Sequence, residues 1–245
     1  MVGRVHDWFA RGAATYDSSL GAMGEPETIG PAVELLAGLA GDGAALELAI
    51  GTGRIALPLA ASGVPVTGID LSEPMVEQLR AKPGGADLPV TIGDMTTTRV
   101  AGTFTLAYLV YNTIENLTSQ DAQVACFENA ARHLAPGGCF VIEVEVPQLR
   151  RLPPGERFVP FSVTPDHLGI DEYDVARQGL VSHHYRNRDD AWRQISMPFR
   201  YVWPSELDLM ARIAGLRMRD RWADWDRSPF TSESTKHVSV WEKPA

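Results

Sequence analysis

The sequence predicts an α/β protein: a mostly parallel sheet with helices on both faces. Three observations predict it. Short apolar runs suited to buried parallel strands recur at residues 44–50, 64–70, 88–92, 104–110 and 139–144. Helical patterns lie between them, so the chain reads as βαβ units. The first run ends in Gly51-Thr52-Gly53, where two glycines allow a tight turn and close approach to a ligand.

In chain order, residues 1–25 carry Trp8, Phe9 and Tyr16 without clear periodicity and predict a partly helical arm. Pro26 opens a helix striped by Ile29, Val33, Leu36 and Leu39, and Gly41 ends it. The first strand leads through the glycine turn to a helix from about Arg54. The second strand ends at Asp70, and Ser72 with Pro74 predicts a capped helix over 73–82. Residues 88–92 form a third strand closed by Gly93-Asp94-Met95, and a fourth runs into Tyr111-Asn112. A helix over 119–134 stops at Pro136-Gly137-Gly138 before the fifth strand. From 147 the texture changes to a Pro- and Arg-rich connector over 150–165, then extended segments at 170–178, 180–186 and 192–203. Pro204 starts another helix, and 216–225 and 235–241 close the chain as two strands. The expected organisation is an arm or lid over 1–43, a ligand-binding core over 44–146, an inserted antiparallel β segment over 147–203, and a helix and strand pair over 204–245.

Composition narrows the classes. At 245 residues the chain can bury a full core, and a net charge of -9 leaves no basic footprint for nucleic acid. Cys126 and Cys139 are unclustered and read as reduced core thiols. Residues 1–8 carry charges and lead into no apolar stretch, so no secretory signal is expected. No run approaches the length of a membrane span. A cytoplasmic protein is the expectation, with no metal site, because no ligand set stands at a telling spacing.

Gly51-Thr52-Gly53-Arg54-Ile55-Ala56 also satisfies the G-x-G-x-x-A dinucleotide fingerprint, with Asp70 as ribose acid. An NAD-dependent oxidoreductase is therefore one reading. Glu47, four residues before Gly51, places a carboxylate where a cationic or amino-bearing ligand is attracted. Asp94 stands where it can accept from an exocyclic amine, and the fourth strand ends short of any hydride-transfer acid or base.

Taken in series, Glu-x-Ala-x-Gly-x-Gly, Gly-Ile-Asp-x-Ser-x-x-Met, Gly-Asp-Met and Leu-x-Pro-Gly-Gly over residues 44–146 resemble the class I S-adenosylmethionine-dependent methyltransferases. The resemblance implies a Rossmann-like seven-stranded sheet with the final strand antiparallel, and S-adenosyl-L-methionine as cofactor. It implies that Glu47, Gly51 and Gly53 hold the methionine moiety, with Ala49 where many members have glycine. It implies that Asp70 takes the ribose hydroxyls, that Leu71 packs on adenine, and that Asp94 receives its amino group. Met95 would cover a ring face, and Tyr111 and Asn112 would face the methyl group; Met75 stands among the cofactor-binding candidates, with helix core as its plainer reading. An N-terminal tyrosine closes over the cofactor in many relatives, and Tyr16-Asp17 resembles that feature.

The acceptor side is a small organic molecule with a nitrogen or oxygen nucleophile, of the kind found among natural-product intermediates. In-line methyl transfer draws mostly on proximity and orientation. An ammonium or hydroxyl acceptor also calls for a base, and His183, His184, His6 and His167 are candidates, with Tyr16 and Tyr185 to orient the acceptor. Adjacent strand residues face opposite ways, so only one of His183 and His184 can face a given cavity. Arg200, Tyr201 and Trp203 are candidates for an acceptor pocket. A non-catalytic cofactor-binding regulator is a further alternative, and aromatics in the inserted segment are compatible with a homodimer.

Overall fold

A computed structural model describes residues 5–188 and 191–245. Helix α1 (Val5–Ser19) and α2 (Pro26–Ala40) precede β1 (Ala45–Leu48), α3 (Ala56–Ala61), β2 (Val66–Asp70) and α4 (Glu73–Arg80). Then come β3 (Val90–Ile92), β4 (Phe104–Leu109), α5 (Gln120–His133) and β5 (Leu134–Glu145). A second block holds β6 (Phe158–Val163), β7 (His167–Asp174), β8 (Gly179–Arg188) and β9 (Ala191–Arg200). Helix α6 (Pro204–Ile213), β10 (Arg217–Trp222) and β11 (Lys236–Glu242) complete the chain.

The main sheet has seven strands in the order β10-β11-β5-β4-β1-β2-β3. Strands β3, β2, β1, β4 and β5 pair in parallel, while β11 runs antiparallel to both β5 and β10. This is the expected sheet, with one reversed strand. Alternation along the strands sorts the core into two layers. Leu46, Leu48, Phe127, Phe140 and Trp241 pack with α5 and α6 on one face. Leu36, Leu59, Leu106, Val141 and Val240 pack with α2 and α3 on the other. Phe127 meets Phe140 and Trp241 edge-on, with ring centroids 5.0 and 5.2 Å apart, the arrangement aromatic quadrupoles favour.

Several boundaries differ from the sequence expectation for identifiable reasons. The arm is one continuous helix, α1, over most of its length. Chain 93–103 passes from β3 to β4 through bends, a turn and irregular backbone rather than a helix. β5 begins early because Leu134 already pairs with Phe104, and Gly137 N–H donates to Lys243 O at 2.7 Å. Ser72 stands at the start of α4, but its hydroxyl makes no capping bond. The connector over 150–165 contains β6, which its prolines conceal. Pro160 is accommodated because β6 is an edge strand of the small sheet β6-β7-β8-β9, with its register shifting just after it. Cys126 and Cys139 are buried free thiols. No helix among the described residues is long and apolar enough to cross a membrane.

Candidate functional site

The carboxyl ends of β4, β1, β2 and β3 lie side by side, and open parallel sheets bind ligands at such ends. Backbone strain gathers there. Ala49, Tyr111 and Asn112 are non-glycine residues with φ of 57°, 58° and 58°. Each costs on the order of 1–2 kcal/mol in that region, and such strain collects at functional positions. Two successive residues with positive φ form a turn normally filled by Asn-Gly. Tyr111 is held in it by its N–H, which donates to Glu143 Oε2 at 3.1 Å, and by the Arg54 guanidinium 4.9 Å over its ring. Asn112 is held by its side-chain oxygen, which accepts from Glu145 N–H at 2.8 Å.

Asp70, 7% exposed, fastens the glycine turn to the next loop. Gly51 N–H donates to one of its oxygens at 2.6 Å and Ser72 N–H to the other at 2.7 Å. Gly51 and Gly53 take φ of 57° and 79°. A Cβ on Gly53 would come 2.9 Å from Leu79, so that glycine also lets α4 pack against the turn. Met75 is 3% exposed and lies under Gly51; it supports the turn and offers a ligand almost no surface. Leu71, by contrast, is 50% exposed. Asp94 is exposed at the tip of β3, where Thr96 N–H and Oγ1 both donate to its Oδ1 at 2.7 Å. Met95 is half-buried against the core, and its carbonyl accepts from Asn129 Nδ2 at 2.9 Å.

Glu47 departs from its expectation as an open carboxylate. It is 3% exposed within β1, on the α2 face. Register places Tyr108 directly across from it, and the phenol donates to Glu47 Oε2 at 2.8 Å. Burial drives the Glu47 carboxyl up to about 8, against the pull of the Tyr108 hydrogen bond and Arg54. The folded protein therefore holds this proton more tightly than the unfolded chain. The stabilisation is complete below the ordinary value of 4.5 and is lost as pH rises toward 8. Glu47→Gln is expected to flatten the decline in stability between those limits. Urea denaturation across that range checks it, and parallel wild-type and mutant curves would count against the assignment.

Helix α1 is fastened to the glycine turn by Asp17, which the sequence singled out together with Tyr16, and by contacts to Thr52 and Lys82 that sequence reasoning missed. Asp17 accepts from Thr52 Oγ1 at 2.6 Å and pairs with Lys82 Nζ at 2.6 Å. Lys82 in turn donates to Thr52 O at 2.7 Å. This brings Tyr16 near Tyr111, Arg54 and Asp70, and burial first, then Tyr111, raises its hydroxyl to about 12.

The small sheet separates the histidine candidates. His183 bonds Ser196 Oγ at 2.8 Å and Glu172 Oε2 at 3.1 Å. His184 lies on the opposite face, shared with Asp171 and Ser182, and Tyr185 shares the face of His183. His184 belongs to a hydrogen-bonded chain. His167 joins Ser162 Oγ at 2.9 Å and His184 at 3.0 Å, and His184 Nε2 approaches Ser182 Oγ at 3.4 Å. Burial lowers His184 to about 4 and lowers His167, so both rings are neutral at neutral pH. Each then has one N–H and one lone pair, and the chain can carry a proton only if both tautomers run in the same sense. The side chain of His6 lies outside the described residues.

Two acceptor-pocket candidates are spent elsewhere. Arg200 Nη2 donates to Glu206 Oε1 at 2.7 Å and Gln178 Oε1 at 3.1 Å, and Nη1 donates to Gln123 Oε1. Tyr201 is buried with Val159 and Tyr173. Neither presents its side chain to the strand tips, a correction to the expectation for both.

A methyltransferase-domain family model matches residues 45–138. The CcbJ methyltransferase from Streptomyces caelestis is 35% identical, with 88% of this chain and 89% of that one covered at a TM-score of 0.80. The chain belongs to the class I S-adenosylmethionine-dependent methyltransferases. A cypemycin N-terminal methyltransferase from a Streptomyces species is 26% identical over 201 residues, covering 81% of this chain and 82% of that protein. CalS10, an amino pentose methyltransferase from Micromonospora echinaspora solved with S-adenosylmethionine, shares the fold at a TM-score of 0.68 and 19% identity, covering 92% of this chain and 95% of that one. Membership makes the protein an enzyme and sets aside the NAD-dependent and non-catalytic alternatives.

S-adenosylmethionine is the methyltransferase's cofactor, and the residues present fit it. Ser72 Oγ is buried beside Asp70 without a hydrogen-bond partner, a state that buried hydroxyls seldom keep unless a ligand supplies one. The exposed Leu71 adds an apolar surface next to that polar pair, as a nucleoside requires. The nearest atom to a Cβ built on Gly51 is Met75 Cε, at 3.5 Å.

Proposed function

We propose that this enzyme transfers a methyl group from S-adenosylmethionine to a nitrogen or oxygen nucleophile on a small natural-product intermediate. The observation that carries the proposal is the meeting of Asp70, the glycine turn and the strained Tyr111–Asn112 tip at adjoining strand ends, with α1 latched beside them. In this reading Ala49, Gly51 and Gly53 shape the cofactor's cradle. Asp70 and Ser72 take the ribose, Leu71 and Met95 flank adenine, and Asp94 accepts its amino group. When bound, the cofactor supplies an electrophilic methyl group on a sulfonium. The chain's own residues position the acceptor, exclude water and manage its proton.

Residues 1–43 serve as a lid through Tyr16 and the Asp17 latch, and 147–203 as the acceptor-side segment. The cypemycin and amino pentose relatives support acceptors of this class. Phe158, Phe161 and Trp192 are exposed on the small sheet, and a homodimer through that surface is part of the proposal. Incubation of a metabolite mixture with methyl-labelled donor, read by mass spectrometry, is expected to give a labelled small molecule only with enzyme present. An unlabelled mixture, despite bound cofactor, would overturn the acceptor class.

A further inference from the structure

The loop after β3 is held from behind by the buried face of α5. Thr97 N–H and Thr98 N–H donate to Asp94 O at 3.1 and 2.8 Å, which winds residues 94–98 into a compact turn. Thr98 also lies against Gly93, where a Cβ would collide with its hydroxyl. Asn129 spends both amide N–H groups on this turn, donating to Met95 O and Thr98 O at 2.9 Å each. One helical turn further on, His133 Nε2 accepts from Val100 N–H at 3.1 Å. The two residues are 0% and 2% exposed. Asparagine is a weak helix former, and Asn129 Oδ1 is buried with no hydrogen-bond partner among the described residues. Such an orphaned acceptor is costly and uncommon. Leucine would fill the same place without it, but would lack the two N–H donors that grip the loop.

We infer that Asn129 and His133 are positioning residues that set adenine specificity by fixing the loop that carries Asp94 and Met95. The inference rests on the reading of Asp94 as acceptor for the adenine amino group. Thr96 N–H and Oγ1 both bond Asp94 Oδ1, so Oδ2 is the oxygen an amine would meet. Its direction follows from the backbone of 94–98, which Asn129 grips at two carbonyls. Without that grip the carboxylate can swing away, while the Asp70 end of the site keeps its own bonds. The consequence is one of discrimination. A fixed acceptor favours an amino group over a carbonyl at the same ring position, and a loose one does not.

The bonds of His133 also fix its tautomer. Asn129 O can only accept, so Nδ1 carries the hydrogen and donates to it at 2.8 Å. Nε2 then keeps the lone pair that Val100 N–H requires. An imidazolium would turn one N–H toward another. Burial lowers His133 against the pull of the Asn129 bond, with Arg99 and Arg132 adding to the lowering, so the ring is neutral at neutral pH. Phe104 meets it edge-on, with centroids 6.2 Å apart, and holds it in place. Glutamine can offer Val100 an acceptor through Oε1, whereas phenylalanine cannot.

Calorimetry on the whole chain with S-adenosylhomocysteine and S-inosylhomocysteine, in which a carbonyl replaces the adenine amino group, tests this. The wild type is expected to bind the adenosyl compound at least about tenfold tighter, and Asp94→Asn to lose most of that ratio. Asn129→Leu and His133→Phe should each shrink the ratio below about threefold, with the loss confined to the adenosyl compound. His133→Gln, which returns an acceptor to Val100 N–H, should keep the wild-type ratio. The ratio is read on folded protein, so lower stability alone does not move it. Should Asn129→Leu fail to fold, the contrast between His133→Phe and His133→Gln decides. Variants that weaken both ligands by the same factor, or keep the wild-type ratio, would overturn the inference and leave Asp94 in its role. A wild-type protein that binds both ligands equally would instead strike the Asp94 assignment, and the inference with it.

Discussion

Arg200→Ala is expected to cost about 3–5 kcal/mol of folding stability, the range for removing one partner of a buried charged pair. Arg200 and Glu206 are 7% and 14% exposed at their side chains. The guanidinium also satisfies Gln123 and Gln178. Those groups belong to α5, α6 and the turn between β7 and β8, so the residue ties the small sheet to the main domain. Alanine leaves the Glu206 carboxylate without its counter-charge, with only Gln120 and Gln178 still donating to it, and leaves the Gln123 and Gln178 amide oxygens without their donor. Urea denaturation at constant m reads the loss directly, and a change below about 1 kcal/mol would contradict the network's importance. The paired replacement Arg200→Met with Glu206→Leu should lose less than Arg200→Ala alone, since no orphan charge remains. This also separates a structural role from a place in the acceptor pocket.

The difference between Arg200 and Asp70 shows what a sequence can and cannot reveal here. Asp70 was legible because its partners are local: a strand ends at it, and the glycine turn lies within one βαβ unit. The seven-stranded sheet was legible for the same reason, each strand announcing itself by a short apolar run. Glu47 was found, but not its state. Its partner Tyr108 lies 61 positions away, and only the β1–β4 register shows that the two face each other. Asn129 and His133 were invisible because polar residues on a helix read as solvent-facing, and the loop they hold lies 31 to 34 positions back. Pro160 hid β6 by suppressing every local strand signal, although an edge strand tolerates it. The split of His183 from His184 was predictable from strand alternation, but which of them faced inward was not.

Replacing Asp70 with asparagine is expected to weaken S-adenosylhomocysteine binding at least about tenfold, near 1.5 kcal/mol, the lower end for a hydrogen bond to a charged group. The side chain keeps its volume, but its amide nitrogen must face either the Gly51 or the Ser72 N–H, both now satisfied by a carboxylate. Two routes lead to weaker binding: loss of a direct bond to the ribose, or loosening of the glycine turn. A 2′-deoxyribose analogue of S-adenosylhomocysteine separates them by calorimetry. If the carboxylate takes the ribose directly, the mutation costs the analogue less than it costs the parent ligand. If it acts through the turn, both ligands lose the same factor. Undiminished affinity for the parent ligand would remove Asp70 from the site, because a charged acceptor at the tip of β2 would then contribute nothing that the neutral amide cannot.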